Sequence, residues 1–254
     1  MILARNQPGG CFSFKHLLED QQSFVYASSM ASPRAILFRE EHVYHLFNRG
    51  VERRSIFLSS RDRERFVSLL EYYRFYGISK SYSHYLALSL SERATFRQIL
   101  DQQPLSVDIL AYCLMPNHFH LLVRQNTKEG IHDFLSNVSN GYAKYFNTKR
   151  QRVGPLYQGP FKAVFVETDE QLIHLSRYIH INPVVSGIIS LDDLDMYPWS
   201  SLPDYIGKVK TSFVTMPPIL GYFKTSSSYR SFVYDQVGYP KQLEHIKHLV
   251  LEEV

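Results

Sequence analysis

Val107-Asp108-Ile109-Leu110-Ala111-Tyr112-Cys113-Leu114-Met115-Pro116-Asn117-His118-Phe119-His120-Leu121-Leu122-Val123 reads as two apolar strands joined at one corner. Pro116-Asn117 supplies the turn, so the stretch predicts a hairpin with strands over 107–113 and 118–124. In a strand, residues i and i+2 share a face and lie roughly 7 Å apart. His118 and His120 therefore carry both imidazoles on one side of the sheet, where two ring nitrogens can serve one ion.

Working outward, residues 41–47 set Val43 between His42 and Tyr44 and end at Asn48-Arg49-Gly50, a strand running into a turn. Over 61–76, Phe66, Leu69, Leu70 and Tyr73 recur at helical spacing behind Ser59 or Ser60 as a cap. Ile131, Phe134, Leu135, Val138, Tyr142 and Tyr145 predict a second helix over 131–148. A fourth strand fits 162–166, and a helix over 169–181 starts at Thr168 or Asp169 and stops at Pro183.

The order strand, helix, strand, strand, helix, strand predicts an α+β fold. Its core is a ferredoxin-like split βαβ unit, an antiparallel sheet with helices on one face, with one more helix appended. The connection at about 77–106 exceeds what a compact core needs and is partly helical around 91–100, so it reads as an insertion. Residues 1–37 show no sustained period and read as an irregular N-terminal extension, with Met30 as a possible true start. Residues 38–190 then form the main domain, and 191–254 a C-terminal extension expected to pack on or beside it.

Composition narrows the class. The 254 residues carry 28 Lys+Arg against 24 Asp+Glu, a formal charge of +4 that mildly favours polyanionic partners. Eighteen Tyr and 17 Phe beside these cations suit stacking on single-stranded nucleic acid, although core packing accounts for most such rings. Cys11 and Cys113 are too few for a disulfide framework or a thiolate metal site and point to a reducing compartment, the cytoplasm. No run approaches 18 apolar residues, so no membrane partner is expected.

The last predicted helix brings further chemistry. Tyr178 and Asn182 are four apart and project from one helical face. A phenol with an ordinary pKa near ~10 attacks a phosphodiester only when oriented and helped by a cation on the phosphate. Mg²⁺ or Mn²⁺ accepting two imidazoles, an amide oxygen, waters and a phosphate oxygen would provide that help. Taken singly, His118 and His120 are more often hydrogen-bonded strand histidines, and a lone tyrosine is more often core. Tyr142 and Tyr145 are competing nucleophiles that read as core-facing.

Taken together the residues resemble a known family. His118-Phe119-His120, then Arg152-Val153-Gly154-Pro155-Leu156-Tyr157-Gln158-Gly159-Pro160-Phe161, then Tyr178-Ile179-His180-Ile181-Asn182-Pro183-Val184 resemble the single-tyrosine HUH transposases, most of all the REP-associated tyrosine transposases. The resemblance spans roughly residues 40–206 and includes Tyr197-Pro198-Trp199-Ser200-Ser201. Tyr157 stands where the family often has Trp, and Ser186 where it often has Ala.

The resemblance implies an enzyme that cuts single-stranded DNA beside a hairpin. Tyr178 would form a 5′-phosphotyrosine link, with the divalent metal, Mg²⁺ or Mn²⁺, on His118 and His120. Asn182 would be the third ligand, or His174, one turn before Tyr178, in its place. No nucleotide cofactor is implied, and the protein would act as a monomer or a homodimer. Two clusters are candidate DNA contacts: Asn48, Arg49, Arg53 and Arg54 after the first strand, and Lys144, Lys149, Arg150 and Arg152 after the second helix. Gln158 and Phe161 are candidate braces before the fourth strand, and His245 and His248 read as surface residues. The alternative reading is a non-catalytic single-stranded DNA- or RNA-binding protein on the same scaffold, such as a domesticated repressor; a hydrolase using the histidines without Tyr178 is a third.

Overall fold

The computed structural model describes residues 37–235. Expectations about Cys11, Met30, the remainder of the N-terminal extension, His245 and His248 lie outside these residues. Strands β1 (Val43–Arg49), β2 (Val107–Met115), β3 (His118–Gln125) and β4 (Lys162–Phe165) form one antiparallel sheet in the order β2-β3-β1-β4. β3 thus splits β1 from β2, which is the expected ferredoxin-like core. The helices are α1 (Ser60–Tyr73), α2 (Tyr82–Ala87), α3 (Leu90–Asp101), α4 (Gly130–Lys149), α5 (Asp169–Val185), α6 (Leu202–Tyr205), α7 (Pro217–Leu220) and α8 (Ser226–Tyr234). Among the described residues no helix is long and apolar enough to cross a membrane.

Alternation along the strands divides the interior in two. Tyr44, Leu46, Phe119, Leu121 and Val123 point to α1 and α4, where Phe66, Leu69, Leu70, Phe134, Val138 and Tyr142 complete one core. The other face is covered by α5 and the segments after it, through Leu175, Tyr178, Ile179, Tyr205 and Tyr229. The two crossover helices therefore share a face as expected, and the appended α5 closes the opposite one. In β2 the pairing shifts between Ile109 and Ala111. This one-residue bulge turns Leu110 toward α5 with Ala111, Cys113 and Met115, while Val107, Ile109, Tyr112 and Leu114 stay on the α1/α4 side.

Several boundaries differ from the periodicity. β1 begins at Val43 and continues through Asn48 and Arg49, because β3 pairs them with Phe119 and His118. α1 stops at Tyr73, after which Phe75 turns inward and bridges to Leu105. Ser59 is the cap of α1, and Thr168 forms a reciprocal capping box with Gln171 at α5. Pro183 does not stop α5, which runs on to Val185 and closes with the Ser186 N–H donating to the Asn182 carbonyl. A proline near a helix end forfeits one backbone bond without forcing the chain out of helical dihedrals, and burial of Asn182 and Pro183 holds the last turn in place.

The stretch at 77–106 contributes α2 and α3, whose Tyr82, Tyr85 and Phe96 gather around Tyr72 of α1. Beyond α5 the chain returns along the outer edge of β2. The Leu114 N–H donates to the Trp199 carbonyl, the Ser201 N–H to that of Tyr112, and the Thr215 N–H to that of Ile109. These bonds satisfy an edge that would otherwise expose unpaired backbone groups.

Candidate active site

β3 is an interior strand, and its first residues carry the histidines. His118 pairs with Arg49 and Met115, and His120 with Phe47 and Cys113. Because β3 alternates, both imidazoles project to the side covered by α5, with ring centroids 4.8 Å apart and planes nearly perpendicular. His120 is buried at 1% exposure, while His118 is partly open.

Each ring is fixed through its Nδ1. His118 Nδ1 lies 2.6 Å from Asn117 Oδ1. A carboxamide oxygen can only accept, so with Asn117 in this orientation Nδ1 carries the proton and Nε2 the lone pair. His120 Nδ1 lies 2.9 Å from Nε2 of His45, and these two rings are within 17° of parallel with centroids 5.1 Å apart. His45, which no sequence motif marks, sits fully buried in β1 on the same face as Phe47. The available signal was topological: in a split βαβ sheet β1 neighbours β3, so a histidine in β1 can lie beside one in β3. The register that makes the contact was not readable.

α5 brings Tyr178 over this pair. The Tyr178 ring is edge-on to His120, with centroids 5.5 Å apart, and 6.5 Å from His45. One turn on, Asn182 is buried and its Oδ1 accepts a hydrogen bond from the Ser186 hydroxyl at 3.0 Å. After a further turn Ser186 itself lines a cleft of about 390 Å³ with His118, Asn117, Arg49, Arg53 and Ser55. Tyr178, Asn182 and Ser186 thus form one stripe of α5 that begins at His120 and ends beside His118. His174, one turn before Tyr178, packs its ring 5.5 Å from Phe232 of α8.

The donor set is compatible with a divalent cation. Among the described residues no three His, Cys, Asp or Glu side chains gather as a metal cluster, so the candidates are two imidazoles and one amide. With Nδ1 of His118 donating to Asn117, Nε2 is the atom that could meet a cation, and His120 could present Nε2 in the same way by donating from Nδ1 to His45. His118 and His120 could hold an ion together, and Asn182, whose Oδ1 accepts from Ser186, follows one turn after Tyr178 on the same face of α5.

The proposed DNA contacts separate by location. Arg49 and Arg53 line the cleft beside His118. Arg54 pairs with Glu52 at 3.3 Å, and Asn48 is buried, donating to the Gly159 carbonyl and accepting from the Arg49 N–H. Lys144, Lys149, Arg150 and Arg152 belong to α4 or its C-terminal loop, on the sheet face away from the histidines. Lys149 and Arg150 bind the buried carboxylate of Asp62 at 2.6 and 3.1 Å, and Arg152 donates to Asn147. Burial of Asp62 would raise its pKa, but the Lys149, Ser59 and Leu58 hydrogen bonds outweigh it and bring the group down to about 2.

The competing tyrosines are on the wrong side of the sheet. Tyr142 is fully buried among α1 and α4 and donates to the Ile56 carbonyl, and Tyr145 donates to Asp62. Gly50 bridges to Tyr157, while the Gln158 N–H donates to the Arg49 carbonyl, tying the 150–161 segment to the end of β1. A Cβ on Gly50 would collide with the Arg54 carbonyl, so only glycine fits this crossing.

A second polar group anchors α5 from behind. His180, fully buried, places Nδ1 2.7 Å from the Tyr229 hydroxyl and Nε2 2.8 Å from Ser201 Oγ. Tyr229 in turn donates to Ser176. Burial lowers the His180 pKa to about 3, so this imidazole is neutral. The Tyr197–Ser201 motif therefore links α5 to β2: Tyr197 donates to the Leu114 carbonyl, and Ser201 Oγ accepts from the Tyr112 N–H.

Comparison with known proteins identifies this architecture. The family model described as transposase, IS200-like, matches residues 39–182. The chain is similar to the solved structure of a REP-associated tyrosine transposase bound to a REP hairpin, with 16% identity over 73% of this chain and 98% of that chain and a TM-score of 0.44. It is also similar to a putative transposase from Deinococcus radiodurans, with 15% identity over 59% of this chain and 95% of that chain and a TM-score of 0.32. No curated protein matches the chain.

Proposed function

Since the chain belongs to the IS200-like transposase family, whose match runs from residue 39 to Asn182, we propose that it cleaves and rejoins single-stranded DNA through a covalent tyrosine intermediate. The observation that carries this reading is the Tyr178 ring 5.5 Å from His120 within one chain. A phenol beside an imidazole that could hold a cation would support phosphodiester transesterification. The active site is then complete in a single copy, and a homodimer is not needed to assemble it.

In this reading Tyr178 Oη attacks the scissile phosphorus. The P–O3′ bond breaks, phosphorus becomes linked to the phenolic oxygen, and the loss of the phenolic proton is balanced by the proton taken up at the 3′-oxygen. The products are a 5′-phosphotyrosine and a free 3′-hydroxyl, and attack by another 3′-hydroxyl reverses the step. No phosphodiester is spent, so no nucleotide cofactor is required. A divalent cation, Mg²⁺ or Mn²⁺, on His118, His120 and Asn182 would neutralise charge on the phosphate oxygens. Arg49 and Arg53 would hold the neighbouring backbone phosphates in their cleft. His180, Ser201 and Tyr229 keep α5 in register so that Tyr178 stays over His120.

The test uses labelled single-stranded hairpin DNA from the flanks of the gene, incubated with the protein, Mn²⁺ or chelator, and resolved by denaturing electrophoresis. A covalent protein–DNA band that requires the ion and vanishes in Tyr178→Phe is expected. Tight binding with no adduct on any flank hairpin would replace this reading with the non-catalytic binder. A free 5′-phosphate on the product would indicate hydrolysis without Tyr178.

A further inference from the structure

We propose that His45 is a positioning residue for the metal site: it sets the tautomer and orientation of His120 by accepting the His120 Nδ1 proton. The inference rests on the reading of His120 as a ligand and adds a residue that the His118-Phe119-His120 motif does not contain.

The geometry is specific. His45 Nε2 and His120 Nδ1 are 2.9 Å apart, the two rings are within 17° of parallel, and both side chains are essentially excluded from solvent. An imidazole can give a lone pair to a cation from Nε2 only when its proton resides on Nδ1. The His120 proton is then donated to His45 Nε2, which in turn places the His45 proton on Nδ1. One shared bond thereby fixes the protonation of two rings. For His118 the same task falls to Asn117, whose Oδ1 lies 2.6 Å from Nδ1. The two candidate ligands are thus oriented by different partners, one an adjacent amide on the turn and the other an imidazole from a neighbouring strand. Outer partners of this kind raise ligand basicity and hold the ring against rotation.

Position reinforces the assignment. His45 pairs with Leu122 in the ladder and lies between Phe47 and Tyr178, with centroids 4.9 and 6.5 Å away. A side chain of similar shape that lacks an acceptor would fill the space yet remove the acceptor that lies 2.9 Å from His120 Nδ1. His120 would then favour the other tautomer, which puts a proton on the nitrogen meant for the cation.

Two measurements on the full chain test this without DNA or turnover. The first is ¹⁵N NMR of the histidine rings, which distinguishes Nδ1–H from Nε2–H tautomers. His120 is expected as Nδ1–H in the wild type and in His45→Gln, whose carboxamide oxygen accepts the same bond, and to shift toward Nε2–H in His45→Leu. The second is Mn²⁺ binding to metal-depleted protein, read from the EPR signal of the free ion. His45→Leu should weaken binding about 10–100-fold, His45→Gln should restore most of it, and His118→Ala should abolish it.

Restoration by Gln separates positioning from mere packing. If His45→Leu leaves both the tautomer and Mn²⁺ affinity unchanged while His118→Ala loses the ion, the inference is overturned and the metal site stands. If the wild type itself binds no Mn²⁺ and His120 is Nε2–H, both the metal site and this role for His45 are overturned. Should His45→Leu fail to fold, equal behaviour of His45→Gln and His45→Asn at both readouts would overturn the inference, since the shorter amide cannot reach His120.

Discussion

On the face of the sheet covered by α1 and α4, Tyr142 ends its side chain on the backbone carbonyl of Ile56; on the face covered by α5, Tyr178 lies edge-on to an imidazole. Both tyrosines are buried and both sit mid-helix at positions with core periodicity. Burial drives the Tyr142 phenol well above its ordinary pKa and the neighbouring apolar side chains offer no cation site. The lesson is that a nucleophilic tyrosine is distinguished less by its own surroundings in sequence than by which side of the sheet its helix covers.

Exchanging the two hydroxyls for hydrogen is the sharpest way to break this comparison. Tyr178→Phe should abolish the covalent DNA adduct, a loss on the order of 10⁴-fold or more in cleavage rate. Retention of the adduct would move the nucleophile elsewhere and remove the functional distinction between the faces.

Acid should separate the faces thermodynamically. The His180 pKa is about 3 in the folded protein and near 6.5 when unfolded, so the unfolded chain binds the proton first. The stability held by neutral His180 is complete above pH 6.5 and falls as pH drops toward 3, by up to about 1.4 kcal/mol per unit. Asp62, on the other side, has a folded pKa of about 2 against 3.8, so its contribution is lost only below pH 3.8. Denaturant titrations from pH 7 to 4 should show a slope that His180→Gln flattens and Asp62→Asn does not. Equal slopes in the two variants would contradict the assignment.

Charge on the two sides should also be unequal in its effect on DNA. Arg49→Gln removes a cation from the cleft and should lower the salt dependence of single-stranded DNA affinity by about 0.7 in log–log slope. Lys144→Gln, on exposed α4, should leave the slope unchanged. Fluorescence anisotropy over a range of salt concentrations decides this, and identical slopes would mean that DNA does not favour the cleft. The smallest effect expected is that of Tyr142→Phe, about 1 kcal/mol of stability from one lost hydrogen bond, seen as a shift in denaturant midpoint with cleavage intact.

Much of this is legible in the sequence. The hairpin at 107–123 and the alternation of helical and strand periods led directly to the split βαβ order, and i+2 spacing put His118 and His120 on one face. The i+4 spacing of Tyr178 and Asn182 was equally local. What periodicity missed depends on contacts distant in sequence: the pairing of β1 with β3 that brings His45 to His120, and the buried carboxylate of Asp62 that engages Lys149 and Arg150. A run of cations looks the same in sequence whether it meets phosphate or an internal acid. Pro183 misled for a related reason, since tertiary burial held a last helical turn that local propensity disfavours.

The displaced pairing at Leu110 gives β2 a property that no single side chain carries. Its first half and its second half are out of step by one residue, so the strand keeps its place by counting. Substitution at most positions alters volume or polarity at one point. Loss of Leu110 would remove the surplus residue and leave a regular ladder with every later side chain on its present face, whereas loss of Cys113 would reverse inside and outside for Leu114 and Met115. Changes of length are therefore tolerated at one place, and a scan of single-residue deletions along β2 should find Leu110 the most forgiving position.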